Sequence, residues 1–186
     1  GIDISSKMVD EAIAQKIPNA IFEVGDIDIL PKYTNSMDLV LAIGLIDYLE
    51  NPKEGINVLA KCVTNNGYLL LSFRNRYSLP TLLRDCTRRV SRYFINTNEG
   101  GSDKAFFLNV NEHSFDFILE LKPLLEKLNF QNFEVEYFNC SPFFFDFPIK
   151  PWLFKKWFEL DVVLAKRYIK NIRSGGVLIC KKQQNN

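Results

Sequence analysis

The chain has 186 residues, with 23 basic and 22 acidic side chains, one histidine and a net charge of +1. At 47% hydrophobic and 24% charged residues it has the composition of a globular domain, which excludes disordered and fibrous classes. The near-zero net charge excludes a whole-molecule attraction for nucleic acid or acidic membranes. One ordinary domain is the expectation from this length, and no apolar stretch reaches the roughly 18 residues of a membrane span.

Gly1-Ile2-Asp3-Ile4-Ser5-Ser6 reads as the end of a strand running into a helix. Ser5 or Ser6 caps that helix, and Met8, Val9, Ala12 and Ile13 are expected on its buried face. The opening lacks the basic start and long apolar stretch of a signal peptide. Pro18-Asn19 ends the helix, Ala20–Val24 is the next strand, and Gly25–Pro31 is a polar loop. Met37–Gly44 is nearly all apolar and predicts a strand covered on both faces. Asn51-Pro52-Lys53-Glu54 combines a cap, a first-turn proline and an acid three residues after the cap, so a helix starts there. Ile56, Leu59, Ala60 and Val63 follow at helical spacing; Asn65-Asn66-Gly67 is the expected stop, and Tyr68–Phe73 is a fourth, buried strand. This alternation predicts right-handed crossovers on a doubly wound parallel sheet.

The second half breaks the rhythm. A helix is predicted from about Ser114, with Ile118, Leu121, Leu125 and Leu128 on one face and Pro123 kinking or splitting it. Asn129 takes the left-handed position at its end. Phe133, Val135 and Tyr137 alternate with Glu134 and Glu136, a strand with one wet face, and Gly175-Gly176 turns into a closing strand at Val177–Lys181. Cys62, Cys86, Cys140 and Cys180 form no CxxC pair, so no metal site is expected; reduced thiols and a cytoplasmic location are.

In this order, the segments Gly1–Val9, Gly25-Asp26-Ile27 with Leu30-Pro31, Met37–Gly44 with Tyr48-Leu49, and Asn66–Ser72 resemble the second to fifth strands and adjoining loops of class I S-adenosylmethionine-dependent methyltransferases. The later helix and two strands resemble that family's final antiparallel pair. The resemblance implies a Rossmann-like α/β sheet, mostly parallel, with S-adenosyl-L-methionine as cofactor. It also implies a glycine-rich turn on a central strand lying between the second and fourth strands. That unit should precede Asp3, so the chain is expected to be a fragment lacking it.

By the same resemblance Asp3, at a strand end, accepts from the ribose hydroxyls; the alternative is a turn residue before a helix. Asp26 is expected to accept from the adenine amino group and the Ile27 amide to meet a ring nitrogen; the alternative is a Gly-Asp turn. Ile4 and Met8 pack the adenine or, alternatively, the core. Ala42 and Ile43 offer backbone groups to the methionine part of the cofactor. Methyl transfer needs alignment and desolvation more than a strong catalytic motif. Tyr48 and His113 are the candidate catalytic groups; a core-packing tyrosine and an exposed cap neighbour are the alternatives.

Residues 73–94 hold six arginines against Asp85, a local charge of +5, with Arg84, Arg88 and Arg92 every fourth residue. Arg74, Tyr77 and Arg84 are therefore candidate substrate contacts for an anionic acceptor; a solvated helix face is the plainer reading. The aromatic stretch 143–158, with Lys150, Lys155 and Lys156, suits weak contact with a membrane surface or a lipid tail, or dry packing of a long connection. The expected organisation is one domain: a cofactor half at 1–73, a basic helical substrate cap at 74–112 and a C-terminal part at 113–186. The function expected is methyl transfer to oxygen or nitrogen of a small or lipid-like, anionic molecule, with nucleic acid excluded as a partner. An NAD(P)-binding oxidoreductase and a non-catalytic domain of the same fold are the alternatives.

Overall fold

A computed structural model describes residues 1–78, 113–138, 173 and 175–184 of the chain. Strand β1 (Ile2–Asp3) runs into helix α1 (Ser6–Ala14), with Ser5 Oγ accepting from the Met8 amide at the cap. Strand β2 (Glu23–Val24) pairs parallel to β1 and is shorter than the expected Ala20–Val24. A 3-10 helix (Ile27–Tyr33) follows, and Glu23 fastens it to β2 by accepting from Lys32 Nζ and from Tyr33 Oη at 2.9 Å.

Strand β3 (Met37–Ala42) leads into helix α2 (Pro52–Cys62). Asn51 caps α2 as its sequence dictates: Oδ1 accepts from the Glu54 amide and Nδ2 donates to the Glu54 carboxylate. Ile56, Leu59 and Ala60 pack inward from α2. The helix stops at Cys62, ahead of Asn65-Asn66-Gly67, and β4 (Val63–Arg74) begins at once. Asn66, with φ of 66°, makes the turn inside that strand's first stretch. Beyond it Leu69, Leu71 and Phe73 are fully or almost fully buried.

Pro123 splits the later helix rather than bending it. Phe117–Leu121 forms a π-helical turn, in which the Leu121 amide reaches back five residues to the Asp116 carbonyl, and helix α3 (Lys122–Lys127) continues from it. Asp116 and Glu120 cap the turn reciprocally, each carboxylate accepting from the other's end of the turn. The wider turn rotates Ile118 out of the expected apolar face, leaving it 67% exposed, while Leu121 and Leu125 remain inside. Asn129 ends α3 in the left-handed conformation, φ 64°. Strand β5 (Phe130–Phe138) and strand β6 (Gly175–Lys182) then pair antiparallel, and β6 also pairs antiparallel with β4. Gly176 sits where a side chain would strike the Phe73 ring, so the β4–β6 pairing requires glycine there.

The strands form two sheets among the described residues, β1-β2 and β3-β4-β6-β5, not one. β3 is parallel to β4, and the β5–β6 pair supplies the antiparallel side expected from the sequence. The 3-10 helix packs on α2 and joins the small sheet to the large one. The core lies between the β3-β4-β6-β5 sheet and the helices α2 and α3, around Ile46, Leu69, Leu71, Leu121, Leu125 and Leu178.

Two burial expectations fail together. On α1 only Val9 is buried, whereas Met8 and Ile13 are exposed. On β3, Val40 and Ala42 meet the core while Leu39, Leu41 and, just past the strand's end, Ile43 are bare. In each case one face is covered and nothing among the described residues covers the other.

Candidate functional site

The residues singled out for the cofactor fall at strand ends. Asp3 closes β1, and its Oδ1 accepts from the Ser5 amide at 2.8 Å, a turn-closing bond that starts α1. The second carboxylate oxygen, Oδ2, has no partner among the described residues. Ile4, the next residue, is 73% exposed, and Met8, one helical turn on, is 53% exposed. An acid with a free oxygen therefore stands beside two accessible apolar side chains.

After β2, Asp26 Oδ1 accepts from its neighbour's amide, Ile27 N, at 2.6 Å and so caps the 3-10 helix. The amide assigned by resemblance to a ring nitrogen is engaged by Asp26 in this arrangement. After β3, Ala42 is buried and Ile43 is 64% exposed. Gly44 follows in the left-handed conformation, φ 63°, with its amide donated to Ser72 Oγ at 2.6 Å. This turn redirects the chain at the end of β3 and fixes it to the adjacent strand β4.

The acceptor-side candidates gather at the other end of that turn. Tyr48 is exposed, its amide bonded to the Leu45 carbonyl at 3.1 Å. His113 donates its amide to the Asp47 carbonyl at 2.7 Å, so its backbone lies against the residue before Tyr48. Its ring Nε2 is buried without a hydrogen-bond partner among the described residues. Around His113 is a cleft of about 240 Å³ that also takes in Asn51, Lys53, Arg76 and Glu120. Arg76 spans it, binding Glu120 at 2.8 Å and the Ser114 carbonyl at 2.8 Å.

Arg74 ends β4 and donates its amide to Asp47 Oδ1 at 3.0 Å. Tyr77 is half-exposed on a second cleft of about 150 Å³ with Asn75, Asp116 and Tyr137. Asn75 is buried and braces this cleft: Nδ2 donates to the Arg173 carbonyl at 2.9 Å, and Oδ1 accepts from the Tyr77 amide at 3.2 Å. Burial and then the Asp116 carboxylate push the Tyr137 phenol above its ordinary value, so it stays a neutral donor. Arg84 and the stretch 143–158 lie outside the described residues.

The structure thus brings Tyr48, His113 and Arg74 together around Asp47, with Tyr77 just beyond Arg74. Sequence reasoning did not find Asp47, Ser72 or Asn75 as parts of this arrangement. The one signal for Asp47 is an acid set among Leu45, Ile46 and Leu49. Ser72 and Asn75 carry none, because serine and asparagine at a strand end are unremarkable until their partners are known.

An α/β arrangement of this order, with acids and exposed apolar side chains at strand ends, has the form of a nucleotide-cofactor fold. Residues 1–71 match the family described as a methyltransferase domain. No curated protein sequence matches the chain significantly. Among solved structures, a Thermotoga maritima S-adenosylmethionine-dependent methyltransferase, described as a possible histamine N-methyltransferase, is 18% identical with a TM-score of 0.61. That match covers 98% of this chain and 72% of the Thermotoga protein. A Mesorhizobium loti S-adenosylmethionine-dependent methyltransferase is 17% identical, TM-score 0.60, over 98% of this chain and 79% of its own. A Haloferax volcanii methyltransferase, in complex with the Trm112 methyltransferase activator, is 16% identical, TM-score 0.61, over 99% of this chain and 71% of its own. Residues 1–71 are thus similar to a methyltransferase domain, and the chain shares the fold of solved S-adenosylmethionine-dependent methyltransferases. No helix among the described residues is long and apolar enough to cross a membrane.

Proposed function

We propose that this chain is a class I methyltransferase that uses S-adenosylmethionine and transfers the methyl group to an oxygen or nitrogen of a small or lipid-like acceptor bearing an anionic group. The observation that carries the cofactor half of this reading is Asp3, an exposed acid at a strand end with Oδ2 available beside the exposed Ile4 and Met8. A ribose diol matches the carboxylate and a purine face matches the two apolar side chains, so the residues present fit the cofactor. Asp26 and Ile27 would hold the base edge, with the amide shared between Asp26 Oδ1 and the ring. Ala42 and Ile43 would hold the amino-acid part through their backbone.

The cofactor supplies a methyl group already activated on a sulfonium. The chain's task is alignment, exclusion of water and handling of the acceptor proton. Tyr48 and His113 are the groups for that proton: a phenol at the surface, and an imidazole whose buried Nε2 has no partner among the described residues. The anionic character of the acceptor is supported by the +5 charge of residues 73–94, of which Arg74 and Arg76 are described. Its lipid-like character is supported by the Phe- and Trp-rich composition of 143–158. The chain ends that flank both segments, Ser78, His113, Phe138 and Arg173, are linked near the end of β4 through Asn75, Phe115 and Tyr137. The described residues that bound the two segments therefore lie close together at the end of β4, which supports a role for both segments beside Arg74 and His113. The acceptor proposed on this reading is a small molecule met in the cytoplasm.

Titration calorimetry with S-adenosylhomocysteine tests the cofactor half. Replacing Asp3 with Ala should weaken binding by about tenfold or more, the loss expected for hydrogen bonds to a charged acceptor. Unchanged affinity removes Asp3 from the site. Radiolabelled methyl transfer to long-chain carboxylates and phosphorylated amphiphiles, beside their uncharged counterparts, tests the acceptor half. Transfer to the uncharged set alone sinks the anionic assignment.

A further inference from the structure

We infer that Asp47 is a positioning residue, which holds Tyr48 and His113 in register with the end of β4 although it carries no chemical role itself. The inference rests on the placement of those two residues at the acceptor side. Asp47 is 8% exposed, an unusual place for a carboxylate unless it is bound to donors. Its side chain faces β4, where Oδ1 accepts from the Arg74 amide at 3.0 Å. Its main chain faces the opposite segment, where its carbonyl accepts from the His113 amide at 2.7 Å.

The same two segments are then bonded to each other. The Phe115 amide donates to the Arg74 carbonyl at 2.8 Å and the Arg76 amide donates to the Phe115 carbonyl at 3.1 Å, a parallel bridge centred on Asn75 and Phe115. One residue thus closes a triangle of three stretches far apart in sequence: the turn 44–48, the strand end 72–76 and the return at 113–116. The turn has a second tie, from the Gly44 amide to Ser72 Oγ, but that tie lies before Asp47 and does not reach His113. Among the described residues of the turn, Asp47 is the one bonded to both flanking segments, and Tyr48 is the next residue in the chain.

A residue that only filled space would be replaceable by one of similar shape without a specific effect at His113. A positioning residue transmits its loss to that site. The chain has a single histidine, so the His113 imidazole gives an isolated proton resonance that needs no assignment. The experiment compares the His113 Hε1 line and the exchange rates of the Arg74 and His113 amides in the whole chain and in Asp47→Ala, Asp47→Asn and Lys182→Met. Asp47→Ala should move the His113 line by more than its width. It should also speed exchange at both amides by about tenfold, the factor that accompanies loss of one hydrogen bond of ordinary strength. Asp47→Asn keeps an Oδ1 acceptor and should leave all three signals unmoved. Lys182→Met, destabilising elsewhere, should leave the His113 signals unmoved as well.

A folded Asp47→Ala protein with unchanged His113 signals overturns the inference, as does an equal response in Lys182→Met. Should Asp47→Ala not fold, Asp47→Leu decides, since it keeps the shape and removes the acceptor: unmoved His113 signals there sink the positioning role. Neither cofactor nor acceptor enters these measurements, so their failure is separate from failure of the methyl-transfer reading.

Discussion

Residues that are chemically ordinary in sequence acquire distinct characters from their surroundings. Cys180 lies inside β6 with its thiol directed at the Leu69 carbonyl, and burial pushes its pKa up to about 12. Burial also raises Cys62, which is hydrogen-bonded to the Leu30 and Val58 carbonyls. Because the thiolate is the reactive form, both should resist modification while the fold is intact. With Cys86 and Cys140 replaced by Ser, titration with a disulfide reagent near pH 8 should show no fast thiol in the native protein and two after unfolding. A fast native thiol would show that the β4–β6 packing opens readily. Glu23 is the opposite case, an exposed carboxylate held below its usual value by hydrogen bonds first from Lys32 and then from Tyr33. Its contribution is present above the ordinary carboxylate range and is lost as acid protonates it.

Elements follow the sequence where one local signal and one packing partner agree. The α2 cap, the left-handed Asn129 and the alternating β5 strand are all legible, because each depends on side chains within a few residues. The π-helical turn is not: the proline rule announces a disruption at Pro123 but leaves the type of disruption to the fit against β5. The site is divided in the same way. Asp3 and Asp26 can be read from their positions at strand ends, whereas the Asp47 and Asn75 contacts depend on partners distant in the chain. Lys182 is another such long-range tie. Its Nζ donates to the Ala60 carbonyl at 3.0 Å and the Val63 carbonyl at 2.7 Å, closing the carboxyl end of α2 from β6. Lys182→Met should cost about 1 kcal/mol, seen as a melting temperature lower by about 2–4 °C. Burial lowers the Lys182 pKa from its ordinary 10.5, so between the folded and unfolded values the unfolded chain binds more protons. Wild-type stability should accordingly gain a small increment as pH approaches 10.5, and the Met variant should lack it. An unchanged melting temperature would reduce Lys182 to a surface contact.

At the scale of the whole molecule, the split between the two sheets is informative. β1 pairs only with β2 and β3 only with β4, so each has one open edge among the described residues. Ile2, Ile4, Leu39, Leu41 and Ile43 are exposed on and beside those strands, and Met8 and Ile13 on α1. An unpaired edge beside a bare apolar face is a poor surface for water and a good template for another strand. We propose that one further parallel strand lies between β1 and β3 in the cofactor-binding form. It would turn two sheets into one, cover side chains whose burial is worth about 1.5–3 kcal/mol each, and bring a glycine-rich turn to the end of β1. The matched structures leave room for such a unit, since about a quarter of their length lies beyond the part this chain covers. The measurement is calorimetry with S-adenosylhomocysteine on this chain and on one extended ahead of Gly1 by a strand–turn–helix unit, roughly thirty residues or more. The extended chain should bind at least about tenfold more tightly, because backbone amides of the turn add hydrogen bonds to the cofactor. Amides of β3 should also exchange more slowly in it. Equal tight binding by both chains would mean that Asp3, Asp26 and the Ala42–Gly44 turn suffice, and that the open edges serve something other than the cofactor.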